Sequence, residues 1–389
     1  MDSLRGLGAL VVLSVHATTP AQLDPTSTPM TFITSLDGVV PMFFVMSAFL
    51  LYRPFVDAHL GGRPMPWVGA YAWRRVLRII PGYWVALTIC ALWLGLSSVF
   101  TLEGLFTYYG LAQVYRAETF DGGIGQAWTI CIEAAFYLML PLYAIAIRRL
   151  LRSRPAWRVR GELAGVAVLF GISLLYNAVV LSHVGEVTHD KAPLVSAYPA
   201  FLDHFAIGMG LAVLDVLVDQ GKLRLGRLLD FIERHPGACW AVAGAAIAIQ
   251  ARGIGLYEGP ITAREWFLRN LLHGVVAASL VLPTIFGDHR RGALRRFLGT
   301  PALLWLGMVS YGFYLYHLAV LSQLDRSGLT EALGGGYDAW VVWIALGAAG
   351  AAAFAAVSWY LLERRAMGLI RIVYRRRRAA QPAPAGAGR

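Results

Sequence analysis

The sequence predicts an all-α fold, a polytopic integral membrane bundle of about ten transmembrane helices with both termini cytoplasmic. Three observations carry this. Of the 389 residues 57% are hydrophobic and only 15% are charged, with a mean hydropathy of +0.57, which a soluble chain does not sustain. Apolar runs near the length of a membrane span recur almost end to end, at roughly 3–17, 36–52, 79–100, 126–147, 162–182, 199–218, 236–251, 265–286, 302–324 and 339–361. The connections between them alternate in basic charge. Segments 53–78, 148–161, 219–235, 287–301 and 362–389 hold five, six, four, four and eight Lys plus Arg, whereas 18–35, 101–127, 183–198, 252–264 and 325–338 hold none, one, one, two and one. Arginine scattered by a basic composition would not alternate in this way, and the positive-inside rule then sends the first span outward from the cytoplasm.

The net charge of +11 therefore reads as topology, and no nucleic-acid partner is expected. Forty-one glycines fit closely approaching membrane helices. Cys90, Cys131 and Cys239 fall within apolar spans without paired spacing or a nearby histidine, so they read as buried thiols, with no metal site. Residues 1–365 are expected to form the membrane domain, with no cleavable signal peptide ahead of it. Residues 366–389, carrying Arg375-Arg376-Arg377-Arg378 and then Pro, Ala and Gly, read as a basic, disordered cytoplasmic tail with no second domain beyond.

Span one is short, closed by Pro20 and the run Thr26-Ser27-Thr28-Pro29. It carries Arg5 and His16 in an otherwise apolar helix. The eleven positions between them make three turns plus roughly 20°, so they share a face about 16 Å apart along the axis. Either both serve function, the default for ionisable groups in a span, or the arginine snorkels to one interface and the histidine sits near the other. Span two ends in Pro41-Met42-Phe43-Phe44-Val45-Met46-Ser47-Ala48, and the cytoplasmic loop after it holds Trp73-Arg74-Arg75-Val76-Leu77-Arg78. These arginines either set topology or clamp phosphate, for which the forked guanidinium is suited.

Span four opens on Gln126 and Trp128 and carries Glu133, a lone carboxylate that must be paired, protonated or facing water. It is either a structural partner for Arg269 or another buried cation, or it orients and charge-stabilises a histidine. Span nine carries Tyr314-Leu315-Tyr316-His317, where the tyrosines read as packing or interface aromatics or as substrate contacts and the histidine's role stays open. At the end of span ten, in Leu362-Glu363-Arg364-Arg365, Glu363 is expected to pair with a neighbouring arginine. On this topology His16, Glu133, His317, Asp37, Asp203, His204, Arg269 and His273 all occupy outer halves of their spans, enough polar groups to line one partly hydrated cavity.

Taken in order, Leu4-Arg5-Gly6-Leu7 with His16, the Phe43-Phe44-Val45-Met46-Ser47 run, Arg75 and Arg78 before Ile80-Pro81-Gly82-Tyr83-Trp84, Trp128 with Glu133 and Phe136-Tyr137, Tyr314 to His317, and Tyr360-Leu361-Leu362-Glu363-Arg364 resemble the membrane-bound acyltransferase family 3 along the whole chain. The resemblance implies an O-acyltransferase of the cell (inner or plasma) membrane. It would move a short acyl group, usually acetyl, from acyl-CoA to a hydroxyl of a carbohydrate, a surface glycan or a macrolide, with no permanently bound cofactor. It carries the family's essential arginine and histidine onto Arg5 and His16, its arginine pair onto Arg75 and Arg78, and its span-four acid onto Glu133. Three positions depart from the family pattern: Ala48 stands for a glycine, Ala134 for a second acid, and Ala319 near a usual proline.

Acyl transfer needs a base, a site for carbonyl negative charge and a positioned donor. His16 is the expected base and Glu133 its orienting carboxylate. Arg75 and Arg78, with Arg74, would hold the CoA phosphates, and Arg5 would guide the donor's polar arm inward. Tyr316, His317 or a backbone amide would face the oxyanion. A transporter without chemistry, or a scaffolding subunit that has lost it, are the competing classes. No broken-helix repeat favours the first, and the intact Arg5 and His16 disfavour the second.

Overall fold

Ten long helices follow one another in the order of the ten apolar runs. They are α1 (Asp2–His16), α2 (Val40–Leu60), α3 (Val68–Leu94), α4 (Trp128–Leu150), α5 (Arg158–Val184), α6 (Leu202–Asp219), α7 (Pro236–Gly253), α8 (Ala263–Ile285), α9 (Pro301–Arg326) and α10 (Tyr337–Ser358). This computed structural model describes residues 1–224, 226–253, 261–286 and 292–369. The arginine run and the end of the expected tail, from 370 onward, lie outside the described residues.

Among the described residues eight helices are long and apolar enough to cross a membrane, and α1 and α7 are not among them. With 15 residues α1 is about 22 Å long, short of the hydrocarbon thickness. It is packed against α9, α10 and α2. The α7 helix closes on Gln250 and Arg252, so its apolar part is short. The chain is thus an all-α polytopic bundle, in which ten long helices follow the ten expected spans and eight of them, among the described residues, are by themselves long and apolar enough to cross a membrane.

One correction concerns α3. The sequence places Trp73 to Arg78 in a loop, yet helix begins at Val68, so Arg74, Arg75 and Arg78 stand on consecutive turns of one helix. Charges end an apolar run without ending the helix, because arginine is a good helix former and its long stem reaches the interface.

The α2 and α6 helices pack closely, a Cβ on Gly208 lying 2.2 Å from the Val45 carbonyl oxygen. Only glycine allows that approach. Behind it Phe44, Phe136 and Phe205 stack in the core, the last two with ring centroids 4.2 Å apart.

One end of the bundle is locked by a buried carboxylate. Glu162, 1% exposed at the start of α5, accepts from Tyr52 on α2 and sits 2.5 Å from His59 Nδ1. Replacing Glu162 by alanine would leave both partners buried and unpaired, a cost of about 3–5 kcal/mol. A clear fall in the melting midpoint of the purified protein checks this, and an unchanged midpoint contradicts it.

Candidate active site

Two glycines set the geometry of the site. A Cβ on Gly6 would lie 2.7 Å from Gly307 N, and one on Gly307 would lie 2.1 Å from the Asp2 carbonyl oxygen, so α1 and α9 touch backbone to backbone at their first turns. The two helices run in the same direction. Ten residues beyond Gly6 is His16, and ten beyond Gly307 is His317, so equal rise brings the two histidines level.

His16 Nδ1 lies 2.9 Å from His317 Nε2, and His317 Nδ1 lies 2.7 Å from the Tyr314 carbonyl oxygen. A carbonyl only accepts, so Nδ1 of His317 carries a proton. Neutral His317 then accepts at Nε2, and His16 must donate from Nδ1. These hydrogen bonds assign the tautomer of His16 with its lone pair on Nε2. The Tyr314 carbonyl is itself fixed, since Gln126 Nε2 donates to it at 2.9 Å and to the Leu315 carbonyl at 2.8 Å.

Glu133 does not touch this pair. Its carboxylate accepts from Ser47 at 2.9 Å and from Tyr137 at 2.5 Å, and Arg5 and Arg75 are among the groups in electrostatic range of it. The expectation that Glu133 orients His16 is therefore corrected: His317 occupies that place. Register explains it. Thr129 on α4 meets Tyr314 at 3.0 Å, so Glu133 lies one turn deeper and His317 one turn shallower, roughly 10 Å apart along the bundle.

The arginines gather at the deeper level. The Arg75 guanidinium lies over the Tyr137 ring at 5.8 Å, with its buried Nε unpartnered. Arg78 is boxed between the rings of Tyr311 at 5.9 Å and Trp359 at 5.4 Å and pairs with Glu363 at 3.8 Å, so the arginine partner of that acid comes from α3. Glu363 ends a π-helical turn, Trp359–Glu363, and accepts from Ser358. Arg5, 3.4 Å from Asp2, is in electrostatic range of both Arg78 and Glu133. Arg74 is half-buried on the same helix as Arg75. Arg5, Arg75, Arg78, Glu133 and Glu363 thus form one charged cluster, three turns of α1 away from His16.

Tyr316 is not in either place. It is 2% exposed and stacks on Phe354 of α10 at 5.2 Å, because its position on α9 is rotated about 100° from that of His317. Both ring nitrogens of His317 are engaged, so neither side chain offers a donor to an oxyanion.

His16 lines a cavity of about 890 Å³. Its walls include Trp128, Phe201, Asp37, Arg269 and His273, of which the last three come from the outer-half polar residues noted in the sequence; Asp203 and His204 are buried behind them. Loops roof it. The two-residue strands Glu186–Val187 and Ile261–Thr262 pair antiparallel, and His189 reaches Asp121 at 2.9 Å across the mouth. In the same roof the Thr188 hydroxyl bonds Asp190 and holds its carboxyl below the usual range. Gln126, Ser47 and Tyr137 were given no role of their own in the sequence, although Ser47 and Tyr137 belong to the family motifs; their contacts to the Tyr314 carbonyl and to Glu133 appear only in the fold.

The acyltransferase 3 family, described as an acyltransferase domain, matches residues 1–363. Nodulation protein 10 of Rhizobium leguminosarum bv. viciae is 27% identical over 95% of this chain and 93% of that protein. Acyltransferase MdmB of Streptomyces mycarofaciens is 25% identical over 84% of this chain and 80% of its own length. YrhL of Bacillus subtilis (strain 168), named provisionally as a peptidoglycan O-acetyltransferase, is 20% identical over 82% of this chain, which spans 48% of it. No solved structure matches. With apolar helices able to cross a membrane, a histidine pair at a cavity and a family match over nearly the whole length, the chain belongs to the acyltransferase 3 family of multi-pass membrane acyltransferases.

Proposed function

We propose that this protein is an O-acyltransferase that takes a short acyl group, acetyl in the first instance, from acyl-CoA and places it on a hydroxyl of a carbohydrate acceptor. The observation that carries this reading is the fixed tautomer of His16, whose lone-pair nitrogen belongs to a ring lining a cavity large enough for a glycan segment. The arginine cluster lies about 16 Å away along α1, a separation suited to the extended pantetheine arm of CoA.

In this mechanism the acceptor hydroxyl gives its proton to His16 Nε2 as its oxygen bonds to the thioester carbonyl carbon. The C–S bond then breaks, the sulfur takes the proton back from His16, and ester and CoA thiol leave. His317 and the Tyr314 carbonyl hold the imidazole ring in place and face the positive charge that forms on it. Arg75, Arg5 and Arg74 bind the donor's phosphates. Arg78, boxed by two rings and Glu363, keeps the cluster in position. With both termini cytoplasmic, as the basic alternation predicts, CoA enters from inside the inner or plasma membrane and the acceptor from the outer side.

The test is CoA thiol release by the purified protein with acetyl-CoA and hydroxyl acceptors, sugars and macrolides among them, with the acceptor's mass read alongside. Thiol release with an acetyl mass gain supports the reading, and bound acetyl-CoA that is never turned over with any acceptor counts against it. Arg75→Gln is expected to raise the acetyl-CoA KM by about tenfold or more through loss of charge-assisted hydrogen bonds. The same loss should appear as a weaker dependence of donor binding on salt. An unchanged donor KM in this variant would remove the cluster from the donor site.

A further inference from the structure

The wall of the cavity holds a pair of charges whose presence the transfer step does not require. Arg269 of α8 pairs with Asp37, in the turn Ser35–Val39 ahead of α2, and their side chains are only 12% and 18% exposed. Asp37 also accepts from Gln250 at 3.2 Å, and His273, one turn along α8 from Arg269, stands 3.5 Å from it with its own Nε2 buried and lacking a hydrogen bond. Asn270, between them, is held by Asp203, which in turn accepts from Ser173. The start of α8 is fixed by a capping box, Thr262 and Glu265 bonding each other's backbone, so this row does not slide.

Ionised groups held this far from water need a compensating use. Resting on the acyl-transfer reading above, we propose that Asp37, Arg269 and His273 form the acceptor subsite and that the acceptor is an uncharged sugar. A carboxylate beside a guanidinium offers adjacent accepting and donating edges, which match neighbouring hydroxyls of a pyranose. Trp128, Trp266 and Phe201 on the same cavity offer apolar faces to the ring's C–H side. Charge decides against an acidic sugar. Among the described residues lining the cavity, Arg269 is the sole arginine or lysine, while Asp37 and Asp121 are both carboxylates. With the lining histidines His16, His189 and His273 neutral, a uronic acid or phosphate would meet more negative than positive charge there. Structural pinning of α8 is the competing role, since the same pair would tie α8 to the turn before α2.

The experiment uses the full chain in detergent with acetyl-CoA and para-nitrophenyl glycosides of neutral hexoses beside the matching uronides. Thiol release without acceptor, compared with His16→Ala, reports the underlying reading separately. Transfer to the neutral glycosides is expected to exceed that to the uronides by about tenfold, and Asp37→Asn and Arg269→Gln are each expected to raise the acceptor KM by about tenfold or more. Their acetyl-CoA KM and acceptor-free thiol release should stay at wild-type values. The exchanged double variant, Asp37→Arg with Arg269→Asp, keeps a pair but swaps donor and acceptor, so pinning is restored while sugar recognition is not. A still-raised acceptor KM in that variant supports the subsite. A wild-type acceptor KM there, a preference for uronides, equal shifts in donor and acceptor KM, or transfer to no glycoside while His16-dependent thiol release persists would each overturn it. If thiol release never depends on His16, the acyl-transfer reading falls first and the subsite with it.

Discussion

His16→Ala is expected to lower kcat for acyl transfer by about a hundredfold to ten-thousandfold, the range for a positioned general base, with acetyl-CoA binding unchanged. The separation between the two effects follows from distance. The donor's phosphates are assigned to arginines three turns of helix below, so loss of the imidazole removes the proton acceptor without touching the clamp. His317→Gln should cost less. Its amide can still accept from His16 Nδ1, but only if the side chain finds the same place, and it loses the bond that fixes the tautomer. The measurements are single-turnover thiol release and direct acetyl-CoA binding on each variant. A His16→Ala protein that transfers at the wild-type rate removes the histidine from the chemistry.

Gly307→Ala is expected to cost more in rate than in stability. Its new Cβ would meet Asp2 and Ser3 through backbone atoms alone, at 2.1 to 2.9 Å, so no side chain can swing aside and α1 itself must shift. Overpacking of this kind costs about 1–3 kcal/mol, part of which the better helix propensity of alanine offsets. The rate is less forgiving. A displacement of about 1 Å at the reacting groups can lose about a hundredfold, and α1 carries His16 with it while His317 stays on α9. Gly171→Ala, on a stretch of α5 where a Cβ meets nothing within 4 Å, is the control: it should leave the rate alone and show only the helix-propensity gain of alanine in melting. Wild-type activity in Gly307→Ala, as in the control, would show that the α1–α9 contact does not set the histidine geometry.

Much of the architecture was legible because hydropathy is local. All ten apolar runs are helices, in order, and each break falls where Pro, Gly or polar residues interrupt the run. Helix ends were less legible. Arg74, Arg75 and Arg78 stop the apolar run but continue α3, since membrane burial and helix formation respond to different properties of arginine. Single residues inside spans were legible as well, because a charge in an apolar helix stands out: Arg5, His16, Glu133 and Arg269 are visible by inspection. Their partners were not. Glu133 takes Ser47 and Tyr137 where His16 was expected, Arg269 takes Asp37 where Glu133 was one alternative, and Tyr316 turns to Phe354 and away from the cavity.

By itself the sequence determined the membrane class, the helix order and the residues able to do chemistry, because each of these depends on a window of about twenty residues. It took the folded bundle to bring His16 against His317, 301 positions away, and to put Arg5 and Arg75 within electrostatic range of Glu133. Those pairings depend on the direction and register of helices against one another. Register is set by where two backbones can come closest, here at Gly6 and Gly307, and that depends on shape complementarity between distant segments, which no local pattern of apolar and polar residues records.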